Sequence, residues 1–321
     1  MIDKLKKNLV LSLILTAVIF FILSAFTDFH SVITSFTKFK WSLLPILLIL
    51  SFGNYLVRFF KWEYYLHLLK IKIKRSVSFK IFFSGLAMSA SPAKMGEILK
   101  SILLKESIGE PISKTAPIIF AERFTDFLSL TFLSIVGVLY FRYSAVWVYF
   151  VLIFFIALVI IISNKKLAQY FIKKISRLSI LKSHVSKIEN LYDSAYILLQ
   201  PKPIFFMLIV SVISWFFECF GFYLILFNFD KSISIIWPTF VYALSSIAGA
   251  VSMLPGGLGV TEGSMSIILI KGGISQETAV ASTFIVRAVT LWFAVIIGSV
   301  FLYFFRKELN NSSNKTRSDN V

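Results

Sequence analysis

The chain has 321 residues, 57% of them hydrophobic, with 35 phenylalanines and a mean hydropathy of +0.83. That composition lies outside the soluble globular range and describes a polytopic membrane protein. The formal net charge of +17 is not a nucleic-acid signature, because the basic residues gather between apolar runs, where cytoplasmic loops meet anionic lipid.

In chain order, Lys4, Lys6 and Lys7 precede a long apolar run with no small-residue cleavage site after it, which predicts a retained first helix with its N-terminus inside. Apolar runs near the 20 residues that a hydrocarbon core of about 30 Å demands fall at 9–26, 41–60, 117–140, 145–163, 203–227 and 279–305. Two further apolar regions are interrupted. One runs 79–91 and is followed by "PAKMGEILKSILLKESIG"; the other runs 235–254, then "PGGLGVTEG", then "SMSIILI" and Lys271. Their second arms, 98–108 and 261–271, would rise only about 15–18 Å at 1.5 Å per residue. Each region is therefore expected to dip into the bilayer and return, giving an all-α protein of about six full spans plus two re-entrant broken helices.

Loop charge orients these segments. Lys and Arg crowd the N-terminus, 58–80, 164–200 and the tail, whereas 27–40, 141–144, 228–232 and 271–278 are poorer in charge. Both termini are accordingly expected in the cytoplasm, with the chain in the cytoplasmic membrane. Within 164–200, Leu167, Tyr170, Phe171, Ile175 and Leu178 recur at helical spacing among lysines, as in an amphipathic helix pair at the lipid interface or a solvated connector. Residues 1–307 read as one membrane domain, and the polar stretch 308–321 as a disordered tail.

The interrupted regions resemble each other. Pro92, Gly96, Glu97, Gly109, "ISKT" (112–115) and Arg123 match Pro255, Gly259, Glu262, Gly273, "ISQET" (274–278) and Arg287, with Pro-to-Arg separations of 31 and 32 residues. This predicts an inverted repeat, about 9–140 and 145–305, a plan in which transporters place a substrate site at the repeat interface. Irregular backbone at membrane depth survives only inside protein or beside a wet cavity, so the turn Pro255, Gly256, Gly257, Gly259 marks the candidate site. The free N–H groups and dipole of the following helix favour an anion there, although small residues also let membrane helices pack closely.

Glu97, Glu122, Arg123, Asp126, Glu218, Glu262 and Arg287 fall at or near membrane depth, where each isolated charge costs about 2.5–3.5 kcal/mol. They should face the interior, with Arg123 and Arg287 neutralised by Glu97, Asp126 or Glu262. Such pairs serve either as a lock between repeats or as binding groups for a lipid phosphate. Lys94 and Lys100 are placed at the inner mouth, either to attract anionic headgroups or to anchor the chain at the surface. The one cysteine, Cys219, and the scattered His30, His67 and His184 offer no metal-ligand spacing, and there is no P-loop, so no cofactor is expected.

"SPAKMGEILKS", "ERFTD", "LPGGLGVTEGSM" and "RAVTLW" resemble the motifs of the flippase-like membrane region of lysylphosphatidylglycerol synthases, over about residues 10–305. In the bifunctional synthases that region precedes a soluble aminoacyl-transferase domain. This sequence stops at Val321, so the resemblance implies the lipid-translocating half alone, acting on a membrane phospholipid or lipid-linked substrate. With no His-containing constellation and carboxylates expected to pair with arginine, no enzyme is expected, and the charge pattern gives no nucleic-acid partner. A non-transporting regulator or partner subunit of an envelope-synthesis enzyme is the alternative, and a homo-oligomer is open.

Overall fold

The computed structural model describes residues 29–91, 95–141, 153, 185–230 and 232–318, and every regular element it describes is helical. The span expected at 9–26 lies outside the described residues, as do 145–163 apart from residue 153, and 164–184. After α1 (Phe29–Lys38), a 3-10 turn at Trp41–Leu43 leads into α2 (Leu44–Leu68), which has Pro45 in its first turn, where no backbone donor is lost. Then follow α3 (Arg75–Gly85), α4 (Leu99–Ile108), α5 (Ile112–Phe141), α6 (Val185–Leu198) and α7 (Pro201–Phe229). The chain continues through α8 (Ile236–Val251), α9 (Val260–Lys271), α10 (Gln276–Arg287) and α11 (Phe293–Ser318).

Among the described residues, three stretches are long and apolar enough to cross a membrane: Trp41–Leu68, Pro201–Phe229 and the run Gln276–Leu309. The last is continuous because a five-residue π segment, Ala288–Trp292, joins α10 to α11 without ending the helix. The helix also continues to Ser318, where composition predicts a disordered tail. Propagation from an already formed span costs little, since nucleation is the expensive step. Helix α6, the described part of the 164–200 segment, packs on α5 and buries Ser194, so it is held in the fold and is not a bare connector.

The two interrupted regions form helix pairs. Helix α3 tightens into a 3-10 turn at Leu86–Met88, and the chain returns through Met95–Ile98 to α4. Helices α8 and α9 form the second pair around the residue 252–259 turn. Each pair packs against a long helix from the other half of the chain: α3 with α11, and α8 with α5. Close approach is secured by Gly298, where a Cβ would collide with the Ala87 backbone, and by Gly137, which lies beneath Phe240. The two turns also meet. The Gly256 N–H donates to the Ser91 carbonyl at 3.4 Å, and Ala90, Leu258, Leu291 and Val295 form a small buried cluster around the junction.

Candidate functional site

Polar residues reach the interior as stripes on otherwise greasy helices. On α2, Ser51, Asn54, Arg58, Lys61 and Tyr65 follow one another at three- and four-residue steps and are all buried. On α5 the stripe is Thr115, Glu122, Asp126 and Ser129, and on α7 it is Ser211, Ser214 and Glu218. Every such group in a low-dielectric interior needs a partner, so the stripes are brought together. Asn54 Nδ2 donates to the Ser214 carbonyl at 2.8 Å, and Lys61 Nζ donates to Asp126 Oδ1 and Ser211 Oγ at 2.7 Å each and to the Glu122 carbonyl at 3.0 Å.

Lys100 of α4 is threaded into the same layer. It pairs with Glu122, lies 3.5 Å from Glu97, and stands over the rings of Trp62 and Phe82 at 4.8 and 5.3 Å. Arg123 bonds Glu97 at 3.1 Å and lies 3.3 Å from Asp126, while Arg58 approaches Glu97 and Asp126 at 3.7 and 3.8 Å. Four cations thus face three carboxylates in one buried cluster. The Arg58 side chain makes no hydrogen bond among the described residues, which leaves the donors of its guanidinium available.

The second cluster is smaller. Arg287 Nε donates to Glu262 Oε1 at 2.6 Å, and its Nη2 donates to the Gly256 carbonyl at 2.5 Å. Glu262 Oε2 in turn accepts the Gly259 N–H at 2.7 Å. Gly256, Gly257 and Gly259 all have positive φ, which this reversal requires, and Pro255 precedes them in the turn. One of the N–H groups expected to greet a foreign anion is therefore met by the protein's own carboxylate.

Between the clusters lies a cavity of about 500 Å³. Arg58, Arg123, Asp126, Glu218, Arg287, Gly256 and Gly257 line it, with Tyr55, Trp215 and Tyr242 on the aromatic wall. Phe120, Val251, Met253 and Leu254 also border it and are exposed. The site is thus amphipathic, with guanidinium groups within and apolar side chains at its margin.

The expected partners of Arg123 and Arg287 are those the structure provides. Glu97 and Glu262, one in each matched stretch, hold the two arginines. Lys94 lies outside the described residues, and Gly96 falls in the Met95–Ile98 turn. Lys100 is a correction: it is buried with its charge paired, not stationed at a mouth. Arg58 and Lys61 were expected in a cytoplasmic loop beginning at 58, but α2 continues to Leu68 and carries both inside. Their helical spacing from Ser51 and Asn54 was the signal that could have found them.

A sequence profile described as the lysylphosphatidylglycerol synthase TM region matches residues 9–298. The chain belongs to that family. Archaeal relatives are similar over most of their length. A UPF0104 membrane protein of Methanocaldococcus jannaschii is 24% identical over 230 residues, 69% of this chain and 94% of the relative. Two from Methanothermobacter thermautotrophicus are 23% and 24% identical, covering 76% and 81% of this chain and 80% and 83% of the relatives. This member of the lysylphosphatidylglycerol synthase TM family is accordingly a membrane protein, and the matched portion is the membrane region.

Proposed function

We propose that the protein carries an anionic lipid headgroup across the cytoplasmic membrane. The observation that carries this reading is the amphipathic cavity: Arg58, Arg123 and Arg287 line its interior, and exposed Phe120, Val251, Met253 and Leu254 lie at its margin. A phosphate would take the open guanidinium donors, whose planar fork matches its oxygens, while the acyl chains remain in lipid past the apolar margin. Family membership supports the membrane setting. The paired short helices, with arginine–carboxylate pairs at matching places, support an inverted-repeat carrier whose two re-entrant hairpins open in turn. Arg58, Arg123 and Arg287 are the binding groups in this scheme, and Lys61 and Lys100 are fasteners.

The test is reconstitution in liposomes with a fluorescent phosphatidylglycerol and a quencher added outside. Wild-type protein moves probe between leaflets, and Arg58→Gln and Arg287→Gln lose that movement while eluting as folded protein. Normal movement in both variants overturns the assignment of the arginines. The fully buried pairs Lys61–Asp126 and Lys100–Glu122 favour a second reading, a non-transporting assembly partner in which charges only lock helices. Under it, the reversal Glu262→Arg with Arg287→Glu restores function along with folding, whereas a carrier remains inactive.

A further inference from the structure

Five carboxylates are buried among the described residues: Glu97, Glu122, Asp126, Glu218 and Glu262. Four of them have a lysine or arginine within 4 Å. Glu218 does not. Its relative exposure is 8%, and it accepts one hydrogen bond, from the Tyr242 hydroxyl to Oε2 at 2.6 Å. Yet it lines the same cavity as Arg58, Arg123 and Arg287. An unpaired carboxylate is tolerable there while the guanidiniums face the cavity and it is empty of other anions. Once a phosphate neutralises those guanidiniums, Glu218 becomes a second negative charge confined beside the first, in surroundings that screen poorly.

We infer that Glu218 is a proton-binding site coupled to the headgroup site: it takes a proton from water when an anionic headgroup occupies the arginines and returns it when the headgroup leaves. This rests on the transport reading above. A proton suits the site better than a metal cation, which needs several oxygens, whereas Tyr55, Trp215 and Tyr242 make this wall aromatic. The titratable and charged groups that share the cavity with Glu218, from the helices packed on α7, are Tyr55 and Arg58 from α2, Arg123 and Asp126 from α5, Tyr242 from α8 and Arg287 from α10. Cys219 adjoins it on α7 itself and is buried. Asp126 is held by Lys61, Arg58 and Arg123, so Glu218 is the carboxylate left to respond. Tyr55, on the same cavity, spends its hydroxyl on the Thr290 carbonyl in the π segment at 2.7 Å, which leaves Tyr242 as the tyrosine bonded to Glu218.

The experiment is calorimetric titration of the full chain in detergent with dihexanoyl phosphatidylglycerol, whose phosphodiester charge is constant across the neutral range. It is repeated in buffers of different ionisation heat, which gives the protons taken up per lipid bound. Wild-type protein takes up a proton on binding, and its affinity rises by up to about tenfold per unit as pH falls through the uptake range, because the bound state holds more protons. Glu218→Gln binds with no uptake and a flat pH profile. Tyr242→Phe keeps the carboxylate but removes the hydrogen bond that Tyr242 donates to it, so uptake persists with an altered pH dependence. A purely structural Glu218–Tyr242 contact would not produce that change. Binding without uptake in the wild type, or undiminished uptake in Glu218→Gln, overturns the proton site and leaves the transport reading standing. No binding at any pH overturns both.

Discussion

At the scale of single residues, the buried cations divide into two kinds. Lys61 spends its three donors on Asp126, Ser211 and the Glu122 carbonyl, so it has nothing left for a ligand. Removing its charge takes from buried Asp126 its shortest ion pair and from the Glu122 carbonyl a donor, and Lys61→Met is expected to cost about 3–5 kcal/mol, read as a lowered unfolding midpoint in detergent. Unchanged stability would show that the pair does not fasten the fold. Arg58 is the opposite case. Its contacts are long, and its removal leaves three cations facing three carboxylates in that cluster. Arg58→Gln should therefore keep the unfolding midpoint close to that of the wild type. Binding of dihexanoyl phosphatidylglycerol should weaken about tenfold or more, as expected for loss of charge-assisted hydrogen bonds.

At the scale of helices and turns, Gly257 is constrained twice over. Its φ is +67°, and a Cβ there would lie 3.0 Å from the Gly249 Cα of the neighbouring arm. Gly257→Ala combines left-handed backbone with a clash, for an expected loss of about 1–3 kcal/mol measured by the same unfolding assay. The turn was legible because Pro and Gly punctuate an apolar run, and carboxylates and arginines at membrane depth pointed to Glu97, Asp126 or Glu262 as the partners of Arg123 and Arg287, without saying which holds which. Arg58 and Lys61 were not legible by the same logic. They sit at the end of an apolar run, where basic residues usually mark the cytoplasmic boundary, and only the polar stripe running back to Ser51 distinguishes a helix that carries its charges inward. Tyr55 and Tyr242 offered even less, since aromatic residues make up 17% of the chain and hydroxyl partners belong to other helices. Gly298 and Gly137 likewise reveal their purpose only when a hairpin from the other half of the chain is laid against them.

At the scale of the whole molecule, the carrier reading requires the two turns to separate during a cycle. A Cβ placed on Gly256 would lie 3.7 Å from that of Ala90, within the span of a disulfide. In a Cys219→Ser background, Ala90→Cys with Gly256→Cys should cross-link under mild oxidation and stop lipid movement, with recovery on reduction. Movement unaffected by a complete cross-link would argue that the turns never part. Orientation is tested in whole cells with an impermeant thiol reagent. Lys105→Cys should label only from the cytoplasmic side and Ser275→Cys only from outside; labelling on the reverse sides overturns the charge-based topology.

The π segment Ala288–Trp292 follows directly on Arg287. A helix advances by about 100° per residue, so one surplus residue accommodated in a wide turn rotates everything beyond it by that angle relative to a plain helix. Arg287 and Leu291 with Ala294 thus line one cavity from positions that an uninterrupted helix would orient differently. Closing the wide turn into regular α form with every residue kept would swing Arg287 by about that angle relative to the apolar packing of α11 on α3, away from Glu262 and the glycine turn, whereas deleting Ala288 would remove the surplus and leave the two in phase. The phase of one long helix, set by a single residue, therefore fixes which way the charge of the second cluster points.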